Sequence, residues 1–184
     1  MAQEIKLTPP LNAEIVKNLH IGNEILISGV IFTARDAAHK KLVELLEQGE
    51  PLPFDLEGAI IYYCGPAPAK PGQVIGSAGP TTSSRMDSYT PLLLKHSLKA
   101  MIGKGSRSAE VRKAIAEHGA VYLVAVGGAG ALLAQRIKKA EIIAYPELGP
   151  EAIYPLEVED FPTIVANDAS GRDLFEEGQR KYQR

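Results

Sequence analysis

Cysteine is nearly absent from this chain: Cys64 stands alone in 184 residues. One cysteine allows no internal disulfide and cannot by itself build an all-cysteine metal site. Tryptophan is missing, and 20 lysines and arginines nearly balance 22 aspartates and glutamates, a net charge of −2. With no basic stretch interleaved with aromatics, the chain lacks the electrostatic footprint of a nucleic-acid binder. Apolar runs such as Val121 to Val126 fall far short of the ~20 residues that a membrane-spanning helix needs. The start, MAQEIKLTPP, lacks the basic-then-apolar pattern of a signal peptide. The four histidines, His20, His39, His96 and His118, show no metal-ligand spacing with a carboxylate or with Cys64. The reading that survives is a cytoplasmic globular protein without a membrane or nucleic-acid partner.

What is present is an ordinary globular composition, 45% apolar and 23% charged, enough for one domain over residues 1–184. Residues 1–22, polar and carrying Pro9-Pro10, read as an extended N-terminal arm. EILISGVIFT (24–33) is continuously apolar and β-branched, as a strand buried on both faces should be. Asp36 is a natural N-cap for a helix whose apolar face is Ala38, Leu42, Leu45 and Leu46, with Gly49 as its stop. AIIYYC (59–64) and VYLVAV (121–126) read as further buried strands. Thr90-Pro91 opens a helix, and Leu94, Leu98, Met101 and Ile102 extend its apolar face to Gly103. Val111, Ile115 and His118 mark a short helix, and Gly127 to Gly130 a turn into another bearing Leu132, Leu133 and Ile137. EIIAY (141–145) reads as a strand, residues 153–167 as a strand pair broken by Pro162, and 171–182 as a charged terminal helix. The class is α/β, a sheet with flanking helices.

Three places put polar groups where a core does not need them. Arg35, in Thr33-Ala34-Arg35-Asp36, follows a strand and precedes a helix, where α/β sheets gather anionic ligands; a solvated loop charge is the plain alternative. Gly79-Pro80-Thr81-Thr82-Ser83-Ser84-Arg85-Met86-Asp87 sets four hydroxyls beside an arginine, enough donors for an anion and a possible proton-transfer group; the alternative is a polar loop capping the next helix. Gly103-Lys104-Gly105-Ser106-Arg107 presents a lysine between glycines that let a ligand approach the backbone, or else a helix C-cap. Gly127-Gly128-Ala129-Gly130 fits no phosphate-loop pattern, and close packing explains its glycines better. Cys64 and His118 read as core.

Taken together, SGVIFTARDAAHKKL (28–42), YYCGPAP (62–68), IGSAGPTTSSRMDSYTP (75–91), IGKGS (102–106) and VGGAGALLAQRIK (126–138) resemble the β subunit of two-subunit iron–sulfur hydro-lyases. These are the class I fumarases and L-tartrate dehydratases, and the resemblance covers roughly residues 10–170. It implies a swivelling β/β/α domain with a mixed sheet, and reversible hydration of fumarate to malate. It also implies a [4Fe–4S] cluster held by three cysteines of a partner α subunit, in a heterodimer or α2β2 assembly, with no metal bound by this chain. Carried over by motif, Arg35 and Arg85 would bind the carboxylates of a dicarboxylate substrate, Lys104 would line its pocket, and Thr81 would be the catalytic base. Two positions depart from the family pattern: Ser84 stands where glycine is expected before Arg85, and Ala34 where glycine is common before Arg35. A tartrate dehydratase subunit and a non-catalytic anion-binding module are the rival readings.

Overall fold

The apolar run from Glu24 to Thr33 needs partners on both edges and cover on both faces, and the computed structural model, which describes residues 4–183, supplies them. In chain order the strands are β1 (Ile5–Leu7), β2 (Glu24–Thr33), β3 (Ile60–Tyr62), β4 (Ala100–Gly103), β5 (Val121–Val124), β6 (Ile137–Ala140) and β7 (Pro155–Asn167). The helices are α1 (Ala13–Lys17), α2 (Asp36–Gln48), α3 (Thr90–Lys95), α4 (Ala109–His118), α5 (Gly130–Gln135) and α6 (Leu174–Tyr182), with 3-10 turns at Ser83–Met86 and Pro146–Glu151.

The sheet is mixed. β1, β2, β3, β4 and β5 run parallel, each pairing with the next, while β7 pairs antiparallel with β2 along one edge and with β5 and β6 along the other. Because β7 joins β5 back to β2, five strands close into a ring, with β1 and β6 as extensions. Alternation across each strand divides the core in two. Ile25, Ile27, Ile31, Ile60, Tyr62, Ile102, Leu123, Phe161 and Val165 fill the inside of the ring. Ile61, Tyr63, Met101 and Tyr122 face outward against Ala38 and Leu42 of α2, Leu93 of α3, and Val111 and Ile115 of α4. This is the mixed sheet with flanking helices expected from the sequence.

Several local expectations are corrected. The helix opened at Thr90 ends at Lys95, Ser97 takes a left-handed φ of 71°, and Met101 and Ile102 belong to a strand. Their helical spacing from Leu94 and Leu98 is a coincidence of two elements joined by a short turn. EIIAY is not a strand: the pairing segment is Ile137–Ala140, and Ala144 makes only an isolated bridge with Ile153. Residues 155–167 form one continuous strand through Pro162, not a broken pair. The Val165 amide donates to Asn23 on the β2 side, so two-residue alternation turns the Pro162 nitrogen to the other edge. There it falls between the stretches paired with β6 (Leu156–Val158) and β5 (Ile164–Asn167), where no donor is required. Of the N-terminal arm, residues 1–3 lie outside the described residues; Ile5–Leu7 is strand and Ala13–Lys17 helix, with Leu7, Leu11, Val16 and Leu19 in the inner core.

Candidate active site

Parallel strands deliver their following loops to one end of a sheet, and four loops meet at the carboxyl ends of β2, β3, β4 and β5. Arg35 follows β2, and the Ala34 amide beside it donates to Tyr62 of β3 at 3.2 Å. The chain returns after β3 as a short extended segment at Thr81–Ser83. The Thr81 amide donates to the Tyr63 carbonyl at 2.6 Å, the Lys104 amide to the Thr81 carbonyl at 3.3 Å, and the Ser83 amide to the Lys104 carbonyl at 3.0 Å. Thr81 and Lys104 are therefore neighbours, each fixed through its backbone. Gly127, after β5, borders the stem of Lys104: a Cβ there would lie 3.8 Å from the lysine Cδ.

The two arginines are joined through Asp36. Arg85 donates from Nε to Asp36 Oδ1 at 2.8 Å, and Arg35 Nη2 lies 3.7 Å from Asp36 Oδ2 and 3.4 Å from Glu151 Oε1. Glu151 is held in turn by the Ala37 amide at 2.9 Å. Arg35 is neither a solvated loop charge nor free to swing, since its side chain is 21% exposed and lies across Gly65, where an added Cβ would stand 2.8 Å from Nη1. Asp36 is not the cap of α2: Arg35 occupies that position with no side-chain cap bond, and the carboxylate serves the arginines instead. Lys104 follows a strand, which excludes the helix C-cap alternative.

The hydroxyl run does not cap a helix either. Tyr89 is the N-cap of α3, again without a side-chain cap bond. Ser83 is buried, its Oγ 2.7 Å from the Tyr122 hydroxyl, whereas Thr82 and Ser84 are exposed and Thr81 is half-buried. Gly103 is required by this packing, because a Cβ there would lie 1.9 Å from Ser83 Oγ. Of the two departures noted in the sequence, Ser84 points to solvent and Ala34 packs in the outer core.

Two buried groups at the site escape a reading by sequence. Arg107 lies beneath the hydroxyl run, bonded to Asp87, Tyr63 and Thr90. Burial works against its charge, but Tyr63 and the Asp87 carboxylate outweigh that and hold its pKa above the ordinary value. His39, one turn into α2, sits with Nδ1 2.9 Å from the Arg35 carbonyl and its ring edge-on to Tyr63. Complete burial drives its pKa down to about 4, so the ring is neutral near pH 7 and donates Nδ1–H to that carbonyl. A signal for each was available: Arg107 directly follows the G-K-G-S run, and His39 follows Arg35 by one helical turn.

The four residues singled out by motif thus occupy adjacent loops at one end of the sheet. Lys104 and Arg85 are exposed there, while Thr81 and Arg35 are half-buried. A groove of about 500 Å³ lined by Val126, Leu132, Leu133 and Pro162 holds none of them.

The chain matches the model of the family described as Fumarase C-terminus over residues 1–178. It belongs to that family.

Among its relatives, the anaerobic class I fumarate hydratase of Escherichia coli K12 is 44% identical over 181 residues, covering 96% of this chain and 33% of that protein. Fumarate hydratase 2 of Leishmania major is 43% identical over 157 residues, 84% of this chain and 28% of the relative. A Methanocaldococcus jannaschii protein provisionally named the β subunit of an L(+)-tartrate dehydratase is 42% identical over 177 residues, 93% of this chain and 91% of its own length. The chain therefore spans about a third of the fumarate hydratases it matches and nearly all of the subunit-sized relative.

The iron–sulfur cluster implied by the sequence resemblance finds no ligand set among the described residues of this chain. Among the described residues no group of three or more His, Cys, Asp or Glu could hold a metal ion. Cys64 is fully buried inside the strand ring, and burial pushes its thiol up to about 12, a protonated and inaccessible group rather than a thiolate ligand. Of the glycines of the 127–130 turn, Gly130 serves packing, since a Cβ there would stand 2.5 Å from Ser77 Oγ and 2.9 Å from the Gly79 nitrogen, whereas Gly128 has open space around it and a left-handed φ of 82°. No helix of the described residues is long and apolar enough to cross a membrane.

Proposed function

We propose that this chain is the β subunit of a two-subunit [4Fe–4S] hydro-lyase that interconverts fumarate and L-malate. It works in the cytoplasm with an α subunit that holds the cluster and completes the pocket. The observation that carries the reading is the neighbourhood of Thr81, Lys104, Arg35 and Arg85 on loops locked together by backbone hydrogen bonds and by Asp36. A dicarboxylate needs two cationic clamps, and three are present on separate loops. Arg85 spends Nε on Asp36, which leaves its Nη1/Nη2 end for a planar, bidentate carboxylate. Arg35, braced by Glu151 and Asp36, and Lys104, on an exposed turn, supply the remaining charge.

In malate dehydration, Thr81 Oγ takes the C3 proton as the C2 hydroxyl leaves. A threonine hydroxyl is a weak base unless its anion is stabilised, and cations on three sides of a pocket closed to water would do that. The same cations neutralise the charge that builds on the adjacent carboxylate as the C3–H bond breaks. The acid that assists the departing hydroxyl, and the cluster, belong in this reading to the α subunit.

L-tartrate dehydration to oxaloacetate is the second reading, favoured by the subunit-sized relative of that name, which this chain covers over 91% of its length. Both substrates present two carboxylates and a proton beside a hydroxyl-bearing carbon. The test is to reconstitute the chain anaerobically with its α subunit and assay malate, fumarate and tartrate. Turnover of malate and fumarate supports the proposal, turnover of tartrate alone supports the second reading, and turnover of none contradicts both.

A further inference from the structure

We infer that Arg107 is a positioning residue for the proposed reaction, the buried tie that sets the Thr81–Arg85 segment and the Lys104 loop in one geometry. The inference rests on the functional reading above and goes one layer below it. The Arg107 side chain is completely buried and spends each nitrogen on a different element: Nε on Asp87 Oδ1 at 2.7 Å, Nη2 on Thr90 Oγ at 2.7 Å, and Nη1 on the Tyr63 hydroxyl at 3.2 Å. Its guanidinium lies between the Tyr63 and Tyr122 rings, 5.3 and 5.0 Å from their centroids. Asp87 returns to the second loop through its other oxygen, which accepts from the Ser108 amide at 2.8 Å. Tyr122 closes the circuit by donating to the Gly105 carbonyl at 2.8 Å, which leaves Ser83 Oγ to donate to Tyr122 at 2.7 Å.

Every strand of this network ends next to a proposed site residue. Tyr63 offers its carbonyl to the Thr81 amide, Asp87 stands two residues after Arg85, and Gly105 adjoins Lys104. A buried ion pair is a weak source of stability, because an apolar replacement of similar volume often does as well. What a forked, permanently charged group supplies is direction: three bonds in one plane at fixed angles. Loops that must hold a base and two cations to a fraction of an ångström gain from that, since small misplacements cost large factors in rate.

The test uses the full chain and its complex with the α subunit, with Arg107→Lys, Arg107→Met and Tyr122→Phe. Amide hydrogen exchange on the chain alone should show Arg107→Lys loosening residues 81–87 and 104–108, with β2 and β7 as protected as in the wild type. In the complex, Arg107→Lys should lower kcat by about 10²-fold with a much smaller change in KM, because one amine cannot reach three oxygens. Tyr122→Phe, which removes a single hydroxyl, should lower kcat by about tenfold. Uniform loosening of the whole chain, or wild-type exchange and kcat in both Arg107→Lys and Tyr122→Phe, would overturn the inference. If Arg107 variants do not fold, Tyr122→Phe decides alone, and wild-type kcat there overturns it. Thr81→Ala measured in the same preparation separates the two levels. An inactive Thr81→Ala beside a fully active Arg107→Lys sinks the inference and leaves the functional reading standing. A wild-type complex without hydro-lyase activity sinks the reading, and the exchange pattern still decides whether Arg107 ties the loops.

Discussion

Arg85 donates from Nε to Asp36 Oδ1 at 2.8 Å, so the loop after β3 and the first turn of α2, 49 residues apart in sequence, are held by one charge-assisted hydrogen bond. In the proposed reading, that bond fixes which end of the guanidinium is left for substrate. A lysine at this position would have a single nitrogen, and Asp36 would claim it. Arg35 lies beside Glu151 and Asp36, and in the same reading it would need further donors for a substrate carboxylate. Arg85→Lys and Arg35→Lys should each lower kcat/KM of the reconstituted enzyme by about 10²-fold or more. Near wild-type kinetics in both would remove the two arginines from the site.

His39 predicts a dependence of stability on pH. Burial holds its folded pKa at about 4, against an ordinary value near 6.5; Arg107 also lowers it, while the Arg35 carbonyl and Asp36 act the other way, and Tyr63 and Tyr89 flank the ring. A depressed histidine pKa means that the unfolded chain takes up a proton between pH 6.5 and 4 while the folded chain does not. Stability should therefore be undiminished above pH 6.5 and fall by roughly 3 kcal/mol as the pH drops to about 4. Denaturant unfolding of wild type and His39→Gln isolates this contribution from that of the carboxylates. From pH 7 to pH 4 wild type should lose roughly 3 kcal/mol relative to His39→Gln, and an unchanged difference would show that His39 charges in the folded chain.

Gly103 and Ser83 form a testable pair. Gly103→Ala places a methyl where Ser83 Oγ stands, 1.9 Å away, and 3.0 Å from the Tyr63 ring. The chain must shift, with an expected loss of about 1–3 kcal/mol. Ser83→Ala in the same chain removes the nearest atom, and the remaining Cβ at 3.3 Å is a tight but bearable contact. The double variant should recover part of the lost urea stability; an additive loss would place the strain elsewhere.

The parts of this fold that could be read from sequence are those with a one-dimensional signature. β2, β3 and β5 are continuous apolar runs because they are covered on both faces, and Gly49 ends α2 in a left-handed turn at φ 70°. β4 was hidden because Leu94, Leu98, Met101 and Ile102 keep helical spacing across a turn that only tertiary packing creates. β6 was hidden because it is an edge strand whose Lys138 and Lys139 point to solvent, leaving no alternation to detect. For the candidate site, residue types drew attention to the segments that hold Thr81, Arg85, Arg35 and Lys104, and the family resemblance supplied their proposed roles. The Asp36 bridge and the Arg107 network were not legible, because their partners come from separate elements and Asp36, Asp87 and Arg107 look like ordinary surface charges in the linear chain.

Thr81 carries the central claim, and exchange of the malate C3 proton with solvent measures it most directly. Thr81 is held by backbone bonds to Tyr63 and Lys104, so Thr81→Ala should leave the loop and the cations in place. Thr82→Ala and Ser84→Ala are the controls, since both side chains are exposed; Ser83 is not one, being buried against Tyr122. In the reconstituted enzyme the account predicts that Thr81→Ala exchanges this proton roughly 10²- to 10⁴-fold more slowly than wild type, with KM nearly unchanged and both controls close to normal. Exchange at the wild-type rate in Thr81→Ala would contradict the account: the base would then lie on the α subunit, and this chain would bind and orient the substrate without touching the proton.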